Sequence, residues 1–596
     1  MKLPFLVRIR SAAFLSLFLS TLSWQVLNAE RPTAPHLLPD STLAYVRVSS
    51  VPELVKQFRD TAMGKITADP QVRPLLSDLY ASGLAAFEQI QDRVGIPLDE
   101  LLAIPQGELC VALVAPEDGR PEVMALLEVG DHLPAAELII ERAEEALAAQ
   151  GGERSSEMIG DTELVIYQFP GDRQRRLVRF ERDGSIVISS DESLVKQLLS
   201  VWDAKEEVRT LADNRRFTTI MKRSVGSRDE QPQITWYVDP LTLVQRLTRG
   251  NFSAQAGLSI ATGLGLDGLK GIGGSIILAT EEFDTIMHAH ALLEVPRDGV
   301  LKMIAFKSAD ITPEPWVPKD AASYTTLNWE IDKTYEELAR LYNTFRGEEA
   351  WKDQVLDRIS ERLQVDLEQD LIEALDGRAS FVTWMERPAR INSQANLLAF
   401  KLKDADKTQR VLDRVTKQFE DRVTSETYGG TSYYRIHFEG RRGGNDNFDE
   451  EIARRPTPCA AIVGDYLMAT DSEKFLQQVI VTKSDSSLSL SNELDYKLIA
   501  NKIGRQLGEA KAGMITFNRP EEGMRLLYEL ATAQSTQTRL ANQAENNPFF
   551  RALNNAVTKN PLPPFAVIAK YLAPGGAIIT DDETGIHYTA FGLRRE

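Results

Sequence analysis

The sequence predicts an α+β fold made of two tandem, similar domains, each with mainly antiparallel sheets backed by helices. Three observations lead there. Tyr45 and Tyr324, Asp191 and Asp471, Phe217 and Tyr496, and Pro240 and Pro520 recur in one order, 279 or 280 residues apart. Strand-like runs come in pairs around turn dipeptides such as Asp118-Gly119 and Asp183-Gly184, a hairpin signature. Helical stretches fall between hairpins, so few connections have the βαβ form that a parallel sheet needs. A chain of 596 residues also exceeds what one hydrophobic core usually organises.

Residues 1–29 read as a secretory signal, with an uncleaved membrane anchor as the alternative. Lys2, Arg8 and Arg10 give a basic start, Ser11 to Val26 is mostly apolar and uncharged, and Ala29 offers a small residue for cleavage. The first domain, 30–311, opens with a strand at Leu43–Val48 and a helix from about Pro52, capped by Ser49 or Ser50. A long helical region ends in Gly95-Ile-Pro-Leu-Asp-Glu-Leu-Leu102. Strands follow at Leu109–Val114 and Val123–Val129, then a helix from about Leu133 with apolar residues at Ala136, Ile139, Ile140, Ala143 and Leu147. Glu163–Phe169, Leu177–Glu181 and Ser185–Ser189 read as strands, and Asp191 opens a helix ending near Trp202. The strand Ile234–Val238, helical pieces after Pro240, and the strands Gly274–Ala279 and Thr285–Leu293 close the domain. The Pro-rich stretch 312–318 is the natural linker. The second domain, 319–596, repeats the order, with a helix from about Lys333, strands at Gly377–Thr383, a helix over Ala405–Phe419 and a closing pair at Gly576–Thr580 and Gly585–Phe591.

The chain carries 68 Lys and Arg against 86 Asp and Glu, a net charge of −18. Residues 1–29 hold three of the bases and none of the acids, so the remainder carries −21. Such a balance repels polyanions and makes nucleic acid an unexpected partner. No later segment offers about 20 uninterrupted apolar residues, so no membrane span is expected once the signal is removed. Cys110 and Cys459 sit in apolar strands at non-equivalent places. They are expected to be two buried thiols, with an inter-domain bridge as the alternative.

Candidate chemistry is sparse. His288 and His290, two apart on a strand, point the same way and could share a metal; the alternative is two polar residues on a solvated strand face. The matching strand keeps one histidine, His587, followed two residues on by Thr589. Gly263-Leu-Gly265-Leu-Asp-Gly268 spells a dinucleotide fingerprint, but a helix precedes it and a strand follows, the reverse of the order the pyrophosphate needs. Ser193 and Lys196 have Ser-x-x-Lys spacing, yet their counterparts are Glu473 and Leu476. The insertion Glu439–Glu451 places Asp446, Asp449, Glu450 and Glu451 as candidate calcium ligands, without the register of an EF-hand loop; a solvated loop is the other reading.

The opening Pro39-Asp-Ser-Thr-Leu-Ala-Tyr-Val-Arg-Val, the segment Gly265-Leu-Asp-Gly-Leu-Lys-Gly-Ile-Gly-Gly274 and the step Pro296-Arg-Asp-Gly-Val-Leu301 resemble a family of exported bacterial proteins of unknown function. The resemblance implies export and a duplicated α+β repeat, and brings no catalytic residue with it. The expected function is a non-catalytic binding or scaffold protein of the cell envelope, with a protein partner there and no cofactor. A hydrolase using dispersed carboxylates and a carrier of an apolar ligand are the alternatives.

Overall fold

The computed structural model describes residues 31–596, apart from 117–118, 170–174, 206–207, 227–229, 309, 311, 438–452, 508–510, 546 and 596. The proposed signal, the Asp118 turn and the acidic insertion lie wholly or partly outside the described residues. The α+β class holds, with many helices around a large antiparallel sheet.

The first half of the chain supplies β1 (Thr42–Val48), β2 (Leu109–Val114), β3 (Glu122–Glu128), β4 (Glu153–Ile159), β5 (Thr162–Phe169), β6 (Arg175–Arg182), β7 (Ser185–Ser189), β8 (Ile234–Val238), β9 (Leu269–Leu278) and β10 (Phe283–Leu293). After the short β11 (Phe306–Lys307), the second half supplies β12 (Ser323–Trp329), β13 (Leu375–Met385), β14 (Gln394–Leu402), β15 (Val423–Tyr428), β16 (Thr431–Ile436), β17 (Cys459–Val463), β18 (Tyr466–Thr470), β19 (Ala512–Asn518), β20 (Gly575–Asp582) and β21 (Gly585–Leu593). From one outer edge inward the order is β4-β5-β6-β7-β3-β2-β1-β8-β9-β10. From the other edge it is β15-β16-β17-β18-β14-β13-β12-β19-β20-β21. The two runs follow the same path through the sheet. They meet where β10 pairs with β21, so the sheet is continuous across the chain.

Local chemistry explains many of the elements. Asp183 and Gly184 both have positive φ, +49° and +69°, as the turn joining β6 to β7 requires. The helix Arg73–Val94 stops at Gly95, whose φ of +97° is the left-handed cap that favours glycine. Ser50 caps the helix Val51–Asp60, and Asp404 caps Ala405–Lys417 through the Lys407 amide at 2.8 Å. β4, polar and exposed along its length, was not anticipated from sequence. As an outer edge strand it has little apolar patterning to read.

One face of the sheet is densely packed. In the first half Tyr45 and Tyr237, opposite each other on β1 and β8, both meet the edge of Phe217 at 5.5 and 5.6 Å between ring centres. In the second half Tyr324 and Phe517, opposite on β12 and β19, flank Tyr496 at 6.3 and 5.3 Å. Phe217 and Tyr496 come from the helices Arg215–Lys222 and Leu494–Leu507, which cover this face with Glu192–Trp202 and Glu473–Ser484. Each half also buries a carboxylate. Glu108, just ahead of β2, accepts from Arg31, Arg47 and the Ala34 amide, whereas Glu314, ahead of β12, accepts from Arg378 of β13.

The helices do not all lie on that face. Ile186 and Val187 are adjacent on β7 and point to opposite sides, yet both are buried. Val187 belongs to the core under Leu194 and Leu198, and Ile186 to a second core with Ala135 and Ala136 of the helix Leu133–Ala149. A strand reading Ser-Ile-Val-Ile-Ser is apolar on both sides and needs cover on both.

Candidate functional site

Two features stand out: an uncovered apolar sheet face, and a buried histidine cluster at the β10–β21 seam.

The face opposite the aromatic cores is apolar along rows that cross the strands. One row runs Val111, Val46 and Trp236, crosses Gly274 and Ala289 to Tyr588, and continues through Ile579, Met514 and Leu327. At about 4.8 Å per strand these nine strands span about 40 Å. A neighbouring row brings Met287, Phe381 and Leu398 to the same side. Val46, Val111, Val123, Met287, Phe381 and Leu398 are 39% to 53% exposed, whereas Tyr45 and Val114 on the packed side are at 2% and 0%. The helices that leave β1, β8 and β19, namely Val51–Asp60, Pro240–Leu247 and Pro520–Thr532, bury no residue fully. Val55, Phe58, Val244, Leu247 and Leu527 remain exposed on them. The middle of the row is half-buried, so the exposed apolar residues gather toward its two ends, around Val46 and Val111 and around Phe381 and Leu398; apolar groups of this kind mark interaction surfaces.

On the packed face, the register sets His290 opposite His587 and His288 opposite Thr589. The structure therefore brings together His288, His290, His587 and Thr589. Sequence reasoning had placed His587 and Thr589 only as distant counterparts. His288 Nδ1 lies 3.3 Å from His587 Nε2 and 3.2 Å from Thr589 Oγ1, which in turn lies 3.1 Å from His587 Nε2. The rings of His288 and His587 stack at 5.4 Å, and those of His290 and His587 are 5.6 Å apart. The solvated-face reading fails here, because His288 and His290 are 8% and 0% exposed. The cause is the helix Arg215–Lys222, which packs over β9 and β10. His288 Nε2, both nitrogens of His290 and His587 Nδ1 are buried and make no hydrogen bond within the protein.

Burial pushes the His288 imidazole down to about 4. Burial first, then the neighbouring His288, His290 and Arg223, pushes His587 down to about 3. His290 is lowered by burial and by Arg223, with Asp582 opposing. The rings are thus neutral at ordinary pH. No group of three or more His, Cys, Asp or Glu among the described residues is arranged to hold a metal ion. Asp446, Asp449, Glu450 and Glu451 lie outside the described residues.

The remaining motifs have structural explanations. Ser193 Oγ donates to Asp191, the residue that caps the helix Glu192–Trp202 through the Leu194 amide at 3.0 Å, and Lys196 pairs with Glu157 and Glu192. Asp191→Ala is therefore expected to cost about 1 kcal/mol in urea unfolding and Ser193→Ala less than about 0.5. Equal losses would remove the capping account. The glycine-rich 263–268 joins the helix Phe252–Gly263 to β9, in the reversed order expected. Cys110 and Cys459 are buried, free thiols, and burial raises both. Where a carboxyl group among the described residues clearly departs from its ordinary value it goes down, as Asp69 does to about 2 beside Lys570, Tyr571 and the Gln71 amide. Glu144, Glu337 and Asp582 are likewise lowered. A general acid needs the opposite shift. Among the described residues no helix is long and apolar enough to cross a membrane. Comparison with protein-family models, curated proteins and solved structures finds no match.

Proposed function

We propose that this is an exported, non-catalytic binding protein of the cell envelope, which takes a protein partner on its uncovered apolar face. The observation that carries the reading is the set of exposed apolar residues on this face, with Val46 at 53%, Val111 at 47%, Phe381 at 43% and Leu398 at 40% exposure. The outer edge strands do not compete for that role: β4 reads Glu-Arg-Ser-Ser-Glu-Met-Ile and β15 Val-Thr-Ser-Glu-Thr-Tyr, polar edges of the kind that discourage pairing. A small-molecule carrier would enclose most of its ligand, whereas this surface is broad and open. Export is supported by the basic-then-apolar residues 1–29. Two repeat domains, 30–311 and 319–596, joined by 312–318, are supported by the matched strand order and by the paired aromatic clusters around Phe217 and Tyr496.

Site-specific photocrosslinking in the cell of origin tests this reading. Probes at Val46, Met287 and Phe381 are expected to join the chain to one and the same protein, and a probe at Ser155 on β4 to none. Val46→Glu together with Val111→Glu should abolish the adduct from Met287 while leaving thermal unfolding within a few degrees. Crosslinks from Ser155 alone, or none from the face, would sink the proposal.

A further inference from the structure

The histidine cluster lies at the one long strand pairing between the two halves among the described residues. β10 and β21 are joined over nine residue pairs; His288 and Thr589 form the central pair, and His290 and His587 sit opposite each other two pairs further on. Protonating these rings would place cations within ring separations of 5.4 and 5.6 Å, on a face that excludes water. The carboxylate beside them is already engaged. Asp582 of β20 is already bonded to Arg223, at the end of the helix Arg215–Lys222, and to Thr584. Arg223 adds a like charge to the cluster. Beside the cluster β9 presents the neutral Ser275, opposite His288; further off, Glu230 lies beside Gly226 with one carboxylate oxygen buried and without a partner. On the second half's side, Lys502 of the helix Leu494–Leu507 is held by Glu282 ahead of β10.

We propose that the seam is an acid-sensitive joint: proton uptake by His288, His290 and His587 releases β10 from β21, while each half keeps its own strand pairing and the contacts of Asp69 with Lys570 and of Ile66 with Ile568 still hold the halves together. The sign follows from linkage. In the closed sheet the imidazoles are held neutral, with His288 lowered to about 4 and His587 to about 3. Once released they return toward the ordinary histidine value of about 6.5. The open form therefore binds more protons, and opening grows as pH falls below about 6.5 until the closed form also protonates. Most carboxylates titrate lower, so the interval from about pH 6.5 to about pH 5 belongs to the histidines.

The test is hydrogen exchange on the purified full chain at pH 7.5 and pH 5, corrected for the intrinsic rate and read by mass spectrometry. Protection of peptides covering 283–293 and 585–593 is expected to fall about thirtyfold for each histidine released, while peptides from β1–β3 and β12–β14 keep theirs. In the variant His290→Gln with His587→Gln the seam should lose most of that pH dependence. Seam protection that is unchanged at pH 5, loss of protection in all strands together, or a dependence retained in the folded double variant would each overturn the proposal. If the variant does not fold, the contrast between seam and flanking strands in the native chain still decides.

Discussion

Glu314→Ala is expected to lower the unfolding free energy by about 3–5 kcal/mol, the usual cost of removing one partner from a buried ion pair. Glu314 is 4% exposed and serves four donors at once. Arg378 Nε lies at 2.6 Å, Tyr324 Oη at 2.6 Å, Tyr466 Oη at 2.9 Å and Ser380 Oγ at 3.0 Å. Burial, reinforced by the Glu314 charge, pushes both tyrosine hydroxyls far up, so they act purely as donors. Truncation leaves the Arg378 guanidinium with the Thr312 carbonyl, the long contacts to the Thr326 and Tyr324 hydroxyls and the more distant Asp310, none of them a close counter-charge. Glu314→Gln keeps an acceptor and removes the charge, and should cost about half as much. Urea unfolding measures both. A loss below about 1 kcal/mol for the alanine variant would mean that solvent reaches the site and the pair is screened.

Phe591→Ala should cost a similar amount, about 3–5 kcal/mol, through the lost ring and the cavity it leaves. Phe591 is 4% exposed on β21, opposite Ile286 of β10, with its ring 5.2 Å from that of Phe283. Ile277, Phe283 and Ile286 of the first half belong to the same core as Phe517 and Ile578 of the second. The substitution is therefore expected to destabilise peptides of both halves when exchange is followed against urea. An effect confined to β19–β21 would show that the halves unfold independently despite their shared core.

The repeat spacing was enough to place most strands and helices, because hairpin turns and capped helices leave local signatures. What joins distant segments leaves none. His288 and His587 are 299 residues apart, and nothing in their neighbourhoods says that β10 and β21 are adjacent. The periodicity at His288-Ala-His290 put both rings on one face correctly, but whether that face is wet depends on the helix Arg215–Lys222, which sits far earlier in the chain. The uncovered face was partly legible. Leu109–Val114 reads Leu-Cys-Val-Ala-Leu-Val, apolar on both sides, which normally promises cover on both. Sequence cannot tell cover supplied by the same chain from cover supplied by a partner. The buried ion pair was hidden because its signs are exchanged: Arg31 and Glu108 in the first half do the work of Glu314 and Arg378 in the second.

Ala289 faces Tyr588 across the seam, and on the duplicated reading these two residues are each other's counterparts, as His288 is of His587 and His290 of Thr589. An antiparallel pairing in which one residue meets its own counterpart, and the residues on either side of it meet each other's, is what a twofold axis between identical subunits produces. On that reading the β10–β21 seam has the register of a twofold axis. Two halves of one chain are free of the self-complementarity that identical subunits impose, since a change on one side does not repeat on the other. The seam is accordingly unequal: it holds three imidazoles and a threonine, whose hydroxyl lies 3.2 Å from Nδ1 of the His288 ring that faces it.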